Sequence, residues 1–501
     1  MESRGRIPVG PPVADPLPSY WHNPKSPLAN VIEPGPDSSS NVYDFVIIGS
    51  GISGTLIAYS LLKNDPSAKV VMLEAREACG GATGRNGGHT KAASYRTYLQ
   101  YRKELGKEEA LKIARLEYTN IFETHQLAEK LVIDCENHMC NTIDLIYDGE
   151  TFECGRAAIE TLQADASDEE RQEGGMACYK IYSKEEAASK FHVDGYNSNP
   201  KLAEEEQLAG AFEYVAGRIN AYRFTTRVLK ECVKKGLKVC TNTPVHKVLP
   251  ASHTMPGSEE QPYFVYTQYN TIQAQSVIYA TNGYTPYLLP QLQGVIVPLR
   301  GQITAQQPGP HAKFPVPLPT TYSFIYRSGY EYMIPRTLPE GGQHIVIGGG
   351  LGREPQAGAE EYGTVDDSSL NHSISRYLNG SLVGYFGTRN WGEDEGQQPK
   401  DERVVQEWTG IMGATADGRP LVGRVPGTKG NWISAGFNGH GMVLCLKSAN
   451  ALVQAISGKS SEEIPWFPHS FWINEDRVQS GTFGGRTDMR VPETGAAPVE
   501  T

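Results

Sequence analysis

Gly49, Ser50, Gly51, Ile52, Ser53 and Gly54 set three glycines in a G-x-G-x-x-G spacing, and Glu74 follows about 20 residues later. The first glycine makes a tight turn, the second lets backbone approach a pyrophosphate, and the third lets a following helix pack closely on a strand. Glu74 can accept both hydroxyls of an adenosine ribose and would repel a 2′-phosphate; Ala75 and Arg76 stand beside it. Immediately beyond, residues 78–90 hold five glycines among thirteen residues. Gly81, Ala82, Thr83, Arg85, Asn86, Gly87, Gly88 and His89 therefore form an irregular loop whose N–H groups can face a planar or anionic ligand. Such a loop could instead be surface, but its place directly after the acid favours a cofactor contact. Far downstream, Asn438, Gly439, His440, Gly441 and Met442 precede an apolar stripe of Leu446, Ala449, Leu452, Val453 and Ile456. They are expected to open a helix over about 441–457, so that free N–H groups and the positive dipole end face whatever sits there.

The elements that must position these residues are legible around them. Phe45–Ile48 is a short apolar run suited to a buried parallel strand, Ile52, Leu56, Ile57 and Leu61 stripe the helix, and Val70–Leu73 makes the next strand. The pattern from Tyr95 to about Lys130 is helical. Asn220 caps a helix carrying Phe224, Val228, Leu229, Cys232 and Val233 that ends at Gly236. Strands follow at Val239 and Thr243–Val248, then a hydrophilic hairpin, then Ser276–Tyr279, which runs into Ala280-Thr281-Asn282-Gly283. A second sheet is expected from Gly294, through Tyr322–Tyr326, Tyr330–Ile334 and His344–Ile347, with a helix near Ser368 to Leu378.

Composition narrows the function. A net charge of −11 and the lack of any basic stripe argue against nucleic acid, and no apolar run is long enough to span a membrane. With no signal-peptide pattern and thinly spread cysteines, a cytoplasmic enzyme is expected. Cys135, His138, Cys140 and Cys154 lack the spacing of a metal site, so no metal is expected. Residues 1–40 read as an extended arm that packs through Trp21, and 461–501 as a surface tail.

Together these segments resemble the FAD-dependent amine oxidoreductases of the D-amino-acid oxidase superfamily, which includes glycine oxidase, sarcosine oxidase and gamma-glutamylputrescine oxidase. The motifs that carry the resemblance are Gly49–Gly54, Glu74, Gly81–His89, Ala280–Gly283, Pro298-Leu-Arg-Gly301 and Gly436–Gly441, and the match covers roughly residues 40–460. The Gly81–His89 loop and the arm around Trp21 are most similar to the putrescine-oxidase branch and its fungal relatives.

The resemblance implies an α/β plus α+β fold: a Rossmann-like FAD-binding domain with a second, antiparallel-sheet substrate domain, as in glutathione-reductase-like and D-amino-acid-oxidase-like two-domain flavoproteins. The FAD domain would comprise 41–95, 206–293 and 403–460, and the substrate domain 96–205 and 294–402. Val245 would touch the adenine, Ala280 and Thr281 would flank the pyrophosphate, Gly283 would be a further cofactor contact, and Gly439–Met442 would lie at the flavin's pyrimidine edge. Met412 stands where amino-acid-oxidising relatives carry an arginine for the substrate carboxylate, and where sarcosine-oxidase-like members carry the cysteine that attaches flavin. Non-covalent FAD and a primary or secondary amine, rather than a free α-amino acid, are therefore expected. Val346 stands where those oxidases carry an oxygen-activating lysine, which leaves the electron acceptor open between O2 and another.

Hydride transfer from a neutral amine to flavin N5 needs mainly orientation and desolvation. Tyr330 and Tyr332, like Tyr322 and Tyr326, alternate on a strand and could form an aromatic wall for a cationic amine, or could simply pack. His440 and Arg300 are candidate ring-side groups or architectural ones. A tailoring oxidase of a specialised-metabolite amine fits the same residues. A non-catalytic FAD-fold binding protein is the alternative of another class.

Overall fold

The computed structural model describes residues 1–31, 42–202, 204–251, 262–393 and 403–486. Parts of the expected arm, hairpin and tail (32–41, 252–261 and 487–501) lie outside the described residues.

The strand Tyr43–Ile48 sits at the centre of the first sheet, parallel to Val70–Leu73 on one side and Thr271–Tyr279 on the other. Lys238–Cys240 extends the parallel set beyond Val70–Leu73, and Asn431–Ala435 extends it beyond Thr271–Tyr279. Val46 and Ile47 are buried on both faces, which is why this strand reads as a continuous apolar run and not an alternating one. The register sets Ile48 level with Leu73 and with Tyr279. The chain therefore leaves the sheet at Gly49, Glu74 and Ala280 along one edge, the carboxyl edge where open α/β sheets bind ligands.

Helices Ile52–Asn64, Ala221–Lys234 and Cys445–Ile456 cover this sheet, sharing a core with Leu56, Ile57, Val228, Leu229 and Leu452. Asn220 caps its helix as expected, accepting from the Arg223 N–H at 3.0 Å. Val233, expected on the apolar side, is 37% exposed. The helical stretch after Tyr95 is two helices, Tyr95–Leu105 and Lys107–Lys130, broken at Gly106 with φ +85.

The second sheet runs in the order Val404–Thr415, Ile296–Gln306, Gln343–Gly349, Gly329–Thr337, Thr321–Tyr326, His138–Ile146, Gly210–Arg218, His89–Thr90. Three strands expected in the FAD domain thus belong here: Gly210–Arg218, through nine residue pairs with His138–Ile146, Val404–Thr415, through Ile296–Gln306, and the short His89–Thr90, through Gly210–Arg218. Pairing across long sequence separations outweighs chain proximity in all three. The helix His372–Trp391, begun by Asn371 later than expected and running further, covers the far face of this sheet. There Phe324 stacks on Tyr385 with ring centroids 3.9 Å apart.

Described segments toward both ends of the chain are built into the body. Tyr20 and Trp21 are buried, and Tyr20 stacks on Trp408 at 5.9 Å. The expected surface tail instead buries Ile464, Phe467 and Phe471 in the core of the first sheet, and Phe483 against Tyr362.

Candidate active site

A single cavity of about 320 Å³ joins the two sheets. It begins at Glu74 and Val245, passes Gly49, Gly51, Ile52 and Ser53, and reaches Tyr330, Tyr332, Met412 and Gly439–Met442. Of the residues expected to hold the cofactor, Ala75, Arg76, Gly81, Ala82, Thr83, Arg85, Asn86, Gly87, Gly88, His89, Ala280 and Thr281 also line it. Ser50, Gly54, Gly283 and Asn438 do not, and each has a structural task. A Cβ on Gly54 would stand 2.0 Å from the Gly49 carbonyl oxygen, and one on Gly283 would stand 2.3 Å from that of Met412. Asn438, at φ +52, turns its side chain to the Thr415 N–H and the Gly436 carbonyl.

The acid and the glycine turn are tied to each other. Glu74 accepts from the Ser50 N–H at 3.0 Å, the Ser50 hydroxyl at 2.7 Å and the Arg76 N–H at 3.0 Å. Thr83 Oγ1 accepts from the Ile52 N–H at 3.0 Å. Two of the N–H groups expected to greet a phosphate are thus engaged within the protein, and Ser50 and Thr83 shape the turn. The glycines still fit a dinucleotide: Gly51 faces the cavity against Thr83, where a Cβ would come within 3.1 Å of its Oγ1, and a Cβ on Gly81 would meet nothing within 4 Å.

The loop after Gly81 is locked from behind. Arg85 is 2% exposed and donates to the carbonyls of Gly80, Thr409 and Leu17; burial lowers it to about 10. Arg76 is bidentate to the fully buried Asp367. The Trp21 indole N–H donates to the Asn86 carbonyl, and Pro11 and Pro12 of the arm line the cavity. The arm therefore forms one wall of the site.

At the other end, the expected helix opening is displaced. Gly441–Val443 make a separate 3₁₀ turn, and the helix begins at Cys445. Asn120, from the helix Lys107–Lys130, accepts from the Lys447 N–H at 3.0 Å and donates to the Met442 carbonyl at 3.2 Å. The first turn is capped from another helix, and Gly439–Met442 meet the cavity as loop backbone. Asn282, read only as part of a glycine turn, accepts from the Gly436 and Phe437 N–H groups and holds this loop in place.

Tyr330 and Tyr332 project into the cavity as expected; Tyr322 and Tyr326 do not. Register explains the split. Ser323 pairs with Tyr332 and Ile325 with Tyr330, so the odd positions of Thr321–Tyr326 share the cavity face. Tyr322 lies in the core, and Tyr326 donates to the buried Glu331 at 2.9 Å. Arg300 lines the cavity, but its guanidinium is bidentate to Glu361 at 2.6 and 3.1 Å and donates to Ser369. These bonds anchor the 361–369 segment, the architectural one of the two readings the sequence leaves open for it. Val346 packs in one cluster with Tyr20, Trp21, Trp408 and the lining residue Ile303, and does not itself line the cavity.

Three cationic side chains line the cavity that sequence reasoning missed: Lys91, Arg96 and Arg486. The Lys91 ammonium pairs with Asp144, which is fully buried, and donates to Ser323 at 2.6 Å. Asp144 also accepts from the Tyr95 and Tyr214 hydroxyls at 2.8 and 2.9 Å. Burial lowers Lys91, opposed by the Asp144 charge. His89, two residues earlier, contacts Thr321 Oγ1 at 2.7 Å, and burial holds it well below its ordinary value, hence neutral. The Arg96 guanidinium lies 4.1 Å from the centre of the Tyr330 ring, and Arg486 Nη2 donates to the Tyr330 hydroxyl at 3.1 Å. Lys91 continues the two-residue alternation that starts at His89, a usable signal; Arg486 lies in a stretch with none. Position 412 is therefore not the only place to seek a cation for a substrate carboxylate.

Among the described residues no cluster of three His, Cys, Asp or Glu side chains is placed to hold a metal ion, and no helix is long and apolar enough to cross a membrane.

A family model described as DAO, FAD dependent oxidoreductase, matches residues 44–455. The probable oxidoreductase OrdL of Haemophilus influenzae is 23% identical over 269 residues, which span 53% of this chain and 56% of that protein. The chain thus covers only about half the length of that curated relative. Among solved structures, glycine oxidase from Geobacillus kaustophilus aligns with TM-score 0.62 and 18% identity, over 87% of this chain and 99% of the other. L-alpha-glycerophosphate oxidase from Mycoplasma pneumoniae, solved with FAD bound, aligns with TM-score 0.59 and 13% identity, over 84% and 96%. At these identities the structures share the fold.

Proposed function

The chain belongs to the FAD dependent oxidoreductase family, and we propose that it oxidises the C–N bond of a primary or secondary amine to an imine. FAD, when bound, supplies the hydride acceptor. Ser50, Glu74 and Thr83 hold the turn that would receive its adenosine and pyrophosphate, and Gly439–Met442 would meet its ring end. The observation that carries the reading is the unbroken cavity from Glu74 to the Tyr330–Tyr332 wall.

An amine is favoured over an alcohol by what lines that wall. A neutral amine can give up a hydride without a base, whereas an alcohol must lose a tightly held O–H proton. Among the described lining residues Glu74 is the one carboxylate, and it sits at the far end, bound to Ser50 and Arg76. Lys91 is held in an ion pair with Asp144, His89 is a weak base, and His440 is the remaining imidazole of the lining. Tyr330 and Tyr332 offer ring faces that orient the substrate and exclude water. Arg96 and Arg486 remove the argument from position 412 against a carboxylate-bearing amine.

The purified protein is expected to be yellow. Anaerobic addition of polyamines, N-methylated amines and amino acids should bleach it with at least one of these, and glycerol phosphate should not. Bleaching by glycerol phosphate alone would overturn the C–N assignment. Met412 cannot form a flavin thioether, so acid precipitation is expected to leave FAD in the supernatant; flavin retained on the pellet would refute the non-covalent reading.

A further inference from the structure

A second, smaller cavity of about 40 Å³ abuts the first, and Arg96, Phe437 and His440 belong to the walls of both. That volume is large enough for water, since roughly 10–15 Å³ suffices for one molecule. Glu117, on the helix Lys107–Lys130, lines it and is buried. The Ser94 hydroxyl donates to Glu117 Oε2 at 2.5 Å. Arg96 and Tyr101 reach the chamber from the helix Tyr95–Leu105, and His440 from its loop, while Tyr179 lies close enough to sense the Glu117 charge. Most other walls, such as Ile113, Leu444 and Phe471, are apolar.

The oxidation proposed above, on which this inference rests, needs an amine lone pair, but alkylamines are largely protonated near neutral pH. Something must remove that proton before the hydride leaves. Lys91 is tied up in its ion pair with Asp144, His89 is a weak base, Glu74 is remote, and His440 stands on the wall that the site shares with the chamber. We propose that the Glu117 chamber is the proton outlet of the site: the substrate ammonium passes a proton through chamber water to the Glu117 carboxylate. One N–H bond breaks, one O–H bond forms, and the electron pair stays on nitrogen, so no redox change accompanies the step. Glu117 acts through water and is a relay group that does not contact the reacting atoms.

Burial pushes the Glu117 carboxyl up to about 7, against the lowering hydrogen bond from Ser94. A carboxylate near that value can both take a proton from a bound ammonium and release it to solvent.

The test uses the FAD-loaded enzyme and the amine that bleaches it, with flavin reduction followed anaerobically by stopped flow. Wild type is expected to speed up as pH rises through about 7. Glu117→Gln should lose that inflection and fall about 10-fold or more at neutral pH. It should recover at alkaline pH, where the amine arrives unprotonated, a rescue that a merely structural defect would not give. Superimposable profiles, or an inflection removed by His440→Asn and kept by Glu117→Gln, would overturn the proposal. Thermal unfolding gives a readout free of catalysis. A carboxyl raised from 4.5 to about 7 on folding stabilises most below 4.5 and loses that contribution as pH rises through about 7. The stability of wild type relative to Glu117→Gln should therefore decline across that window; a flat difference would sink the relay. If no amine bleaches the flavin, the C–N assignment fails while the unfolding experiment still reports on Glu117.

Discussion

Gly54→Ala is expected to give protein without flavin colour and with sharply lowered thermal stability. The added Cβ would sit 2.0 Å from the Gly49 carbonyl oxygen, 3.1 Å from its carbon and 3.3 Å from the Ala280 Cβ. None of these is the yielding end of a side chain. Gly49 itself is pinned at φ +106, with its own Cβ position 2.6 Å from the Ala280 carbonyl oxygen. The helix Ile52–Asn64 would have to lift off the strand Tyr43–Ile48, opening the core around Leu56 and Ile57, both essentially fully buried. Overpacking of this kind costs about 1–3 kcal/mol where side chains can adjust, and backbone contact leaves less room for adjustment. The same lift moves Gly49, Gly51 and Ser50, and Ser50 carries two of the hydrogen bonds that hold Glu74. Loss of FAD and loss of stability should therefore appear together. Gly149→Ala is the control: it opens a helix, faces nothing within 4 Å and is exposed, so its unfolding midpoint should hold or rise. A Gly54→Ala protein that stays yellow with an unchanged midpoint would mean that the close packing of this turn does not govern cofactor binding.

Gly54 was legible from sequence because its constraint is local: strand, turn and helix are contiguous, and glycine is required by backbone contacts within a few residues. The same holds for Val70–Leu73, for the Asn220 cap, and for Tyr330 and Tyr332, whose alternation follows from strand geometry alone. What stayed hidden is what long-range pairing decides. Whether Arg300 is a ring-side cation or an architectural one is open in the sequence, and the partners Glu361 and Ser369 are visible only in the fold. Tyr322 alternates as well as Tyr332 does, but the antiparallel register sends it to the opposite face. Gly439–Met442 precede an apolar stripe, and only the arrival of Asn120 shows that the helix starts later. Arg486 comes from a stretch with no periodicity at all, and its position depends on Phe483 being buried against Tyr362. The glycine cradle could thus be named before the fold was known, whereas the side chains around the substrate end could not.

Lys91→Met should destabilise the fold by about 3–5 kcal/mol, the usual cost of stranding one member of a buried ion pair. Asp144 is fully buried, and the substitution would leave it with the Tyr95 and Tyr214 hydroxyls but no cation. A second substitution, Asp144→Asn, removes the stranded charge. The double variant Lys91→Met/Asp144→Asn should recover most of the lost stability, because a buried pair replaced by neutral groups is often close to neutral overall. Flavin reduction is expected to behave differently. Lys91 lines the cavity beside Ser323, whose cross-strand partner is Tyr332, so its loss removes a donor from the substrate end whatever happens to Asp144. The double variant should therefore unfold near the wild-type midpoint, hold FAD, and reduce it about 10-fold or more slowly, as expected when a positioned charge is lost from a site. Full recovery of both properties would show that Lys91 serves only to neutralise Asp144. Failure to recover stability would show that the Lys91–Asp144 pair does more for the sheet than compensate its own burial.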